Sequence, residues 1–163
     1  MTDFARLMSD YFVKYLAGQK GSGSNTMKTY RDTFVQLLEF MDEKKHIRAD
    51  CIEVDSFSYD IINEFLEYLE KEKRVSISTR NNRLAAIRSF FKYTGYHEPK
   101  YLNISTSIRE ISKKKTEGRQ MNYLSVNAME HFLNSFDKTD HKELRCFCIV
   151  LLLYESGARV TEL

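Results

Sequence analysis

Apolar side chains recur along the first 95 or so residues at intervals of three and four, as they do in helices that each bury one face. Phe4, Leu7, Met8, Tyr11, Phe12, Tyr15 and Leu16 trace one such stripe and predict a first helix ending near Ala17. Gly18 to Ser24, rich in Gly and Ser, reads as a loop. Asn25 or Thr26 can then accept hydrogen bonds from free amides and start a second helix, with Tyr30, Phe34, Leu37, Leu38 and Met41 inward. Ser56 or Ser58 followed by Asp60 marks a third start, and Ile61, Ile62, Phe65, Leu66 and Leu69 form its buried stripe. A fourth helix begins at Ser76 or Ser78 and runs to Tyr93, with Leu84, Ile87 and Phe91 inward and Thr94-Gly95 as a left-handed C-cap. These elements predict one four-helix bundle over residues 1–97.

The pattern then changes. Pro99, the run Lys113-Lys114-Lys115 and Gly118 predict a short helix around 104–111 inside a basic linker spanning 98–119. Beyond it, Gln120 to Leu124 is expected to be a short extended segment, Ser125 to cap a helix through Phe136, and Asp140 to cap one reaching Ser156, where Gly157 stops it. Val160 to Leu163 reads as the first turn of a further helix, so residues 120–163 are expected to be the start of a second domain.

Composition supports an all-α fold. One Pro and six Gly in 163 residues are too few for a sandwich or barrel, which needs turn-forming residues every 8 to 12 positions or so. With 42% apolar and 29% charged residues, the chain can bury a core. Its longest apolar run, Cys146 to Tyr154, falls short of the roughly 18 to 20 residues that span a bilayer. A cytoplasmic location with no membrane partner is expected. Cys51, Cys146 and Cys148 fit neither a disulfide framework nor a zinc site and are expected to be buried thiols.

Net charge of +2 hides a strong segregation. Residues 39–70 sum to −7, whereas 71–92 sum to +6 and 100–119 to +4. A balanced chain can thereby present one cationic surface to a polyanion, and nucleic acid is the leading partner. On the fourth helix Asn81, Ala85, Arg88 and Lys92 fall on one side, away from Leu84, Ile87 and Phe91. A small residue between hydrogen-bonding and cationic ones suits close approach to a duplex, with Arg88 and Lys92 on phosphates and Asn81 on a phosphate or base edge. Arg74, Ser78, Thr79 and Arg80 crowd the first turn, where free amides also favour an anion. Thr26, Lys28 and Arg31 repeat the signal more weakly, and Lys113, Lys114, Lys115 and Arg119 can track a DNA backbone as a basic arm. The four His lack metal-ligand spacing, and no phosphate-binding Gly loop or zinc cluster occurs, so neither metal nor cofactor is expected.

Three blocks carry a family resemblance: Asn25-Thr26-Met27-Lys28-Thr29-Tyr30-Arg31-Asp32, the stretch from Ser78-Thr79-Arg80-Asn81 to Ser89-Phe90-Phe91, and Leu152-Leu153-Tyr154-Glu155-Ser156-Gly157-Ala158-Arg159-Val160-Thr161-Glu162-Leu163. In this order and spacing they resemble the tyrosine recombinases, or phage integrases. The first two resemble the N-terminal SAM-like, core-binding domain, whose helices enter the major groove on one side of the recombination site. The third resembles the start of the catalytic domain, with Ser156 where Thr is usual and Ala158 where a larger residue is common. The resemblance implies site-specific breakage and rejoining of double-stranded DNA through a phosphotyrosine, without metal, by whole proteins that act as tetramers. It makes Arg159 the first catalytic arginine. The second arginine, the lysine, the histidines and the nucleophilic tyrosine have no counterpart among these residues, so this chain alone is expected to be inactive. The competing expectation is a helical protein-interaction module, in which the first helix and the run Phe147 to Tyr154 drive self-association and the basic stripe is incidental.

Overall fold

The computed structural model describes residues 2–116, 118 and 123–162. Among them every regular element is helical. The chain divides into two compact units, Met1–Glu117 and Gly118–Leu163.

The first unit opens with α1 (Asp3–Asp10), capped by Thr2, whose hydroxyl accepts from the Ala5 amide. At Tyr11 the winding widens into a π-helix that lasts to Gln19. This departs from the expected continuous α-helix, and the burial pattern gives the reason. Tyr11 and Leu16 lie five residues apart and both are fully buried, a spacing that one π turn brings onto the same side. Phe12 and Tyr15 are left half-buried against the core. The loop is correspondingly shorter than expected, because α2 (Ser24–Lys45) already starts at Ser24. Gly23 is its N-cap with no side-chain cap, so neither Asn25 nor Thr26 plays the capping role the sequence suggested. His46, in the left-handed region, ends it.

Local capping chemistry sets the next starts. Ser58 accepts from the Ile61 amide to begin α3 (Tyr59–Lys71), and Ser76 accepts from Thr79 to begin α4 (Ile77–His97). Thr94-Gly95 does not terminate α4. Pro99 disfavours helical dihedrals at the residue before it, Glu98 is extended, and the helix therefore runs on to His97. Gly95 answers to packing instead: a Cβ there would lie 2.7 Å from Ser105 Oγ, so the missing side chain lets α4 approach α5 (Leu102–Glu110) closely. Tyr101, Ser105, Ile108 and Ile111 are buried. Residues 99–111, expected to belong to a linker, are thus built into the bundle.

α4 is the central helix. Leu84, Ile87 and Phe91 are buried as expected, and so are Phe90, Ala86 and Tyr93 on further sides, because α2, α3 and α5 all pack on it. Phe90 is the aromatic hub, with ring centroids 5.3 to 5.5 Å from those of Phe4, Tyr11, Phe34 and Phe91.

In the second unit, Ser125 caps α6 (Val126–Asn134), Asp140 caps α7 (His141–Ser156), and Gly157 ends α7 at φ 63°. Phe136 bridges Phe132 and Phe147. No described residue of this unit is buried. Cys146 and Cys148, like Cys51 in the first unit, are exposed, which overturns the expectation of buried thiols. The proposed extended segment from Gln120 falls largely outside the described residues. Among the described residues no helix is long and apolar enough to cross a membrane.

Candidate nucleic-acid interface

Three elements of the first unit converge on one open cleft of about 640 Å³. The π-helix and the loop after it contribute Tyr15 and Lys20, α4 contributes Ala85, Arg88, Ser89 and Lys92, and the end of α5 and its exit contribute Arg109, Glu110 and Lys113. Five cations therefore face a single carboxylate. The floor at Ala85 is small, so a polyanion can approach the backbone of α4 while cations on either side reach its phosphates. Ala85 also borders a second, uncharged recess of about 290 Å³ lined by Asn25, Thr26, Thr29 and Asn82. The cleft and the recess at the start of α2 thus meet at Ala85. Arg83 holds α4 to α2, donating from Nη1 to the Thr29 carbonyl at 2.9 Å and to Thr33 Oγ1 at 3.1 Å.

Arg88 belongs to the fold and to the cleft at once. Its Nε donates to the Arg109 carbonyl at 2.9 Å, and Nη2 donates to the same oxygen. A cation at the C-terminal end of α5 satisfies an orphan carbonyl and complements the helix dipole. Two of the five guanidinium donors are engaged in this way, which leaves three for an anion. Lys92 is exposed, its ammonium 5.8 Å from the Tyr96 ring centroid.

The remaining sequence candidates scatter. Lys28 and Arg31 line a separate recess beside Phe12 and Met27, and Arg31 lies 3.9 Å from Asp32. Arg74 is exposed in the left-handed region at φ 51°, in the turn before α4. Ser78 is exposed, and Thr79 Oγ1 is spent on Ser76 Oγ at 3.0 Å. Arg80 corrects the expectation of a phosphate contact: it is only 5% exposed and pairs with Glu70 at 3.2 Å. Asn81 is half-exposed, with its amide bonded to the main chain of Lys114. Lys114 itself reaches Glu70 at 2.7 Å, Lys115 is exposed, and Arg119 lies outside the described residues. Of the expected set, Arg88, Lys92 and Lys113 share the cleft, and Thr26 lines the neighbouring recess at Ala85. Lys20 and Arg109 escaped the sequence reading because each comes from an element whose docking against α4 is tertiary. The +4 charge of residues 100–119 was the one available hint for Arg109.

In the second unit, Arg159 sits in the turn after α7 with its side chain 85% exposed. Its amide donates to Glu162 Oε2 at 2.8 Å, and its guanidinium lies 3.6 Å from Glu162 Oε1. Among the described residues no cluster of His, Cys, Asp and Glu could hold a metal ion.

A helical bundle with a cationic cleft along its central helix has room and charge for a polyanion. Comparison with known proteins gives the family: residues 10–99 match the phage integrase N-terminal SAM-like domain. The chain belongs to the phage integrases, the tyrosine recombinase family. It is 30% identical over its whole length to the tyrosine recombinase XerD of Vibrio vulnificus, covering 50% of that protein. It is 27% identical over 96% of its length to XerC of Staphylococcus aureus, covering 49% of it. With y4rC of Sinorhizobium fredii, described as an integrase/recombinase, it shares 27% identity over 98% of its length and 48% of that protein. The chain spans about half the length of these relatives. No solved structure matches it.

Proposed function

We propose that the first unit is the DNA-binding module of a site-specific tyrosine recombinase and that it grips duplex DNA through the cleft along α4. The observation that carries this reading is the convergence of Lys20, Arg88, Lys92, Arg109 and Lys113 from separate elements around the small Ala85. Thr26, Thr29 and Asn82 supply neutral hydrogen-bonding groups beside them, suited to sugar, phosphate or base edges. Arg159 is the first catalytic arginine of a site to which other parts of a recombinase contribute. Its planar fork can hold two non-bridging phosphate oxygens as their charge grows in the transition state, an interaction whose loss typically lowers rate about 10² to 10³-fold. The exposed position of Arg159 leaves it accessible to a phosphate. In the cell the reading places the protein on chromosomal or mobile DNA in the cytoplasm, within a recombinase tetramer.

Fluorescence anisotropy with a labelled duplex at low salt tests the assignment. Lys92→Glu weakens binding strongly and Arg88→Glu with Lys92→Glu abolishes it, while both variants keep a cooperative thermal melt. Unchanged affinity in the double variant defeats the reading.

One observation favours a second role, self-association: Ile149, Leu152 and Tyr154 of α7 are 41%, 52% and 48% exposed. Sedimentation separates the two. An oligomer that dissociates on Leu152→Lys and leaves duplex mobility unchanged supports the interaction reading over DNA binding.

A further inference from the structure

Residues 112–116 are exposed, and the last buried apolar side chain before them is Ile111. Apolar packing therefore cannot hold this stretch, yet three polar side chains of the bundle do. Asn81 donates from Nδ2 to the Lys114 carbonyl at 2.8 Å and accepts at Oδ1 from the Lys114 amide at 3.1 Å, a two-point bond to one residue's main chain. Arg80 Nη1 donates to the Ser112 carbonyl at 3.1 Å and to Asn81 Oδ1 at 3.2 Å. Glu70 of α3 closes the arrangement, with Oε1 3.2 Å from Arg80 Nε and Oε2 2.7 Å from Lys114 Nζ. The main chain is fastened at Ser112 and again at Lys114. Lys113, the residue between them, is the one whose side chain lines the basic cleft.

We infer that Glu70, Arg80 and Asn81 are positioning residues for duplex binding, forming a clasp that fixes the backbone on both sides of Lys113 and presents its ammonium to phosphate. The inference rests on the reading of the cleft as a DNA surface. Two features argue that the clasp acts through Lys113 and does not itself read DNA. Asn81 Oδ1 already accepts two hydrogen bonds and Nδ2 donates one to the main chain, and Arg80 is buried beside an acid. An unclasped 112–114 segment would have to be ordered on binding, and that entropy opposes affinity.

The test combines two readouts on the 163-residue chain. The first needs no DNA: amide exchange at Lys114, whose N–H donates to Asn81, followed in the wild type and in Asn81→Ala. Asn81→Ala is expected to accelerate it at least about tenfold with the global melt preserved, since a local hydrogen bond sets local opening. Unchanged exchange overturns the clasp. The second is a double-mutant cycle in affinity for a 30-base-pair duplex of arbitrary sequence at low salt. Asn81→Ala and Lys113→Ala are each expected to weaken binding on the order of fivefold, and the double variant to bind like Lys113→Ala alone. Additive losses would make Asn81 a direct contact and overturn the proposal. Glu70→Gln gives a check of opposite sign. Removing an acid near a cationic cleft should tighten a polyanion by charge alone, whereas loss of the clasp weakens it; equal or tighter binding overturns the proposal. A wild type that leaves the duplex free while Asn81 still protects Lys114 defeats the DNA reading of the cleft and, with it, the purpose assigned to an otherwise intact clasp.

Discussion

Asp3 shows how one residue near the start of the chain ties distant segments together. Its carboxylate accepts from Lys100 Nζ at 2.6 Å and Tyr101 Oη at 2.9 Å, and its own amide donates to Glu53 Oε2 at 3.0 Å. The hydrogen bond from Lys100, reinforced by that from Tyr101, holds the carboxyl below its ordinary value of 3.8. A depressed folded-state value means that the unfolded chain takes up the proton first as pH falls, so the tether stabilises above about pH 4 and is lost below it. Thermal melts of the wild type are expected to weaken between about pH 4 and the still lower folded value, and Asp3→Asn to flatten part of that slope. An identical slope in the variant would show that the tether has no linked proton. Nothing in the sequence marks Asp3 for this role beyond a favourable place at the start of a helix, because the partners of its carboxylate lie 97 and 98 residues away. Ser58, Ser76, Ser125 and Asp140 were legible for the opposite reason: each cap bonds an amide two or three residues ahead. Arg80 and Asn81 were misread because the same side chains that suit a phosphate also suit a buried acid and a free main chain, and only the docking of 112–114 decides between them.

Helices were read well where one face is buried and poorly where more than one is. Of the expected α3 stripe, Ile62, Phe65, Leu66 and Leu69 are buried and Ile61 is half-buried against the core. α4 is packed on several sides, so Phe90, off the expected Leu84, Ile87 and Phe91 stripe, became the aromatic hub. Gly95 belongs to the same misreading, since a glycine near the end of a helical pattern suggests a cap until the neighbouring helix is in view. Replacing it with Ala gains helix propensity of ~1 kcal/mol. Against that gain, the new methyl would lie 2.8 Å from Ser105 Cβ and force α5 away. Overpacking of this kind costs about 1 to 3 kcal/mol, so Gly95→Ala is expected to be destabilising on balance in denaturant melts. Adding Ser105→Gly removes the clashing atoms and should recover part of the loss. A stabilised Gly95→Ala chain would show that α4 and α5 have slack between them.

At the scale of the whole molecule, the proposed grip on DNA depends on bringing together charges that the sequence holds apart. Lys20 and Lys113 are more than ninety positions apart in the chain, yet they line one cleft with Arg88, Lys92 and Arg109, while the strongly acidic 39–70 stretch contributes no residue to it. The net +2 of the chain is thus a poor guide to its field, and the number of cations the fold gathers is the better one. That number has a measurable consequence. If all five meet phosphates, log K for duplex should fall with log salt at a slope of about −4.5, a loss of roughly 500-fold between 50 and 200 mM. Each charge-neutralising substitution at Lys20, Lys92 or Lys113 should flatten the slope by about 0.9, whatever the duplex sequence. The same substitution at Lys28, in its separate recess, should change the slope only if DNA wraps beyond the cleft. Anisotropy titrations at four or five salt concentrations measure all of these slopes. A slope near zero for the wild type, or one insensitive to the three lysines, would remove the physical basis for assigning this cleft to DNA.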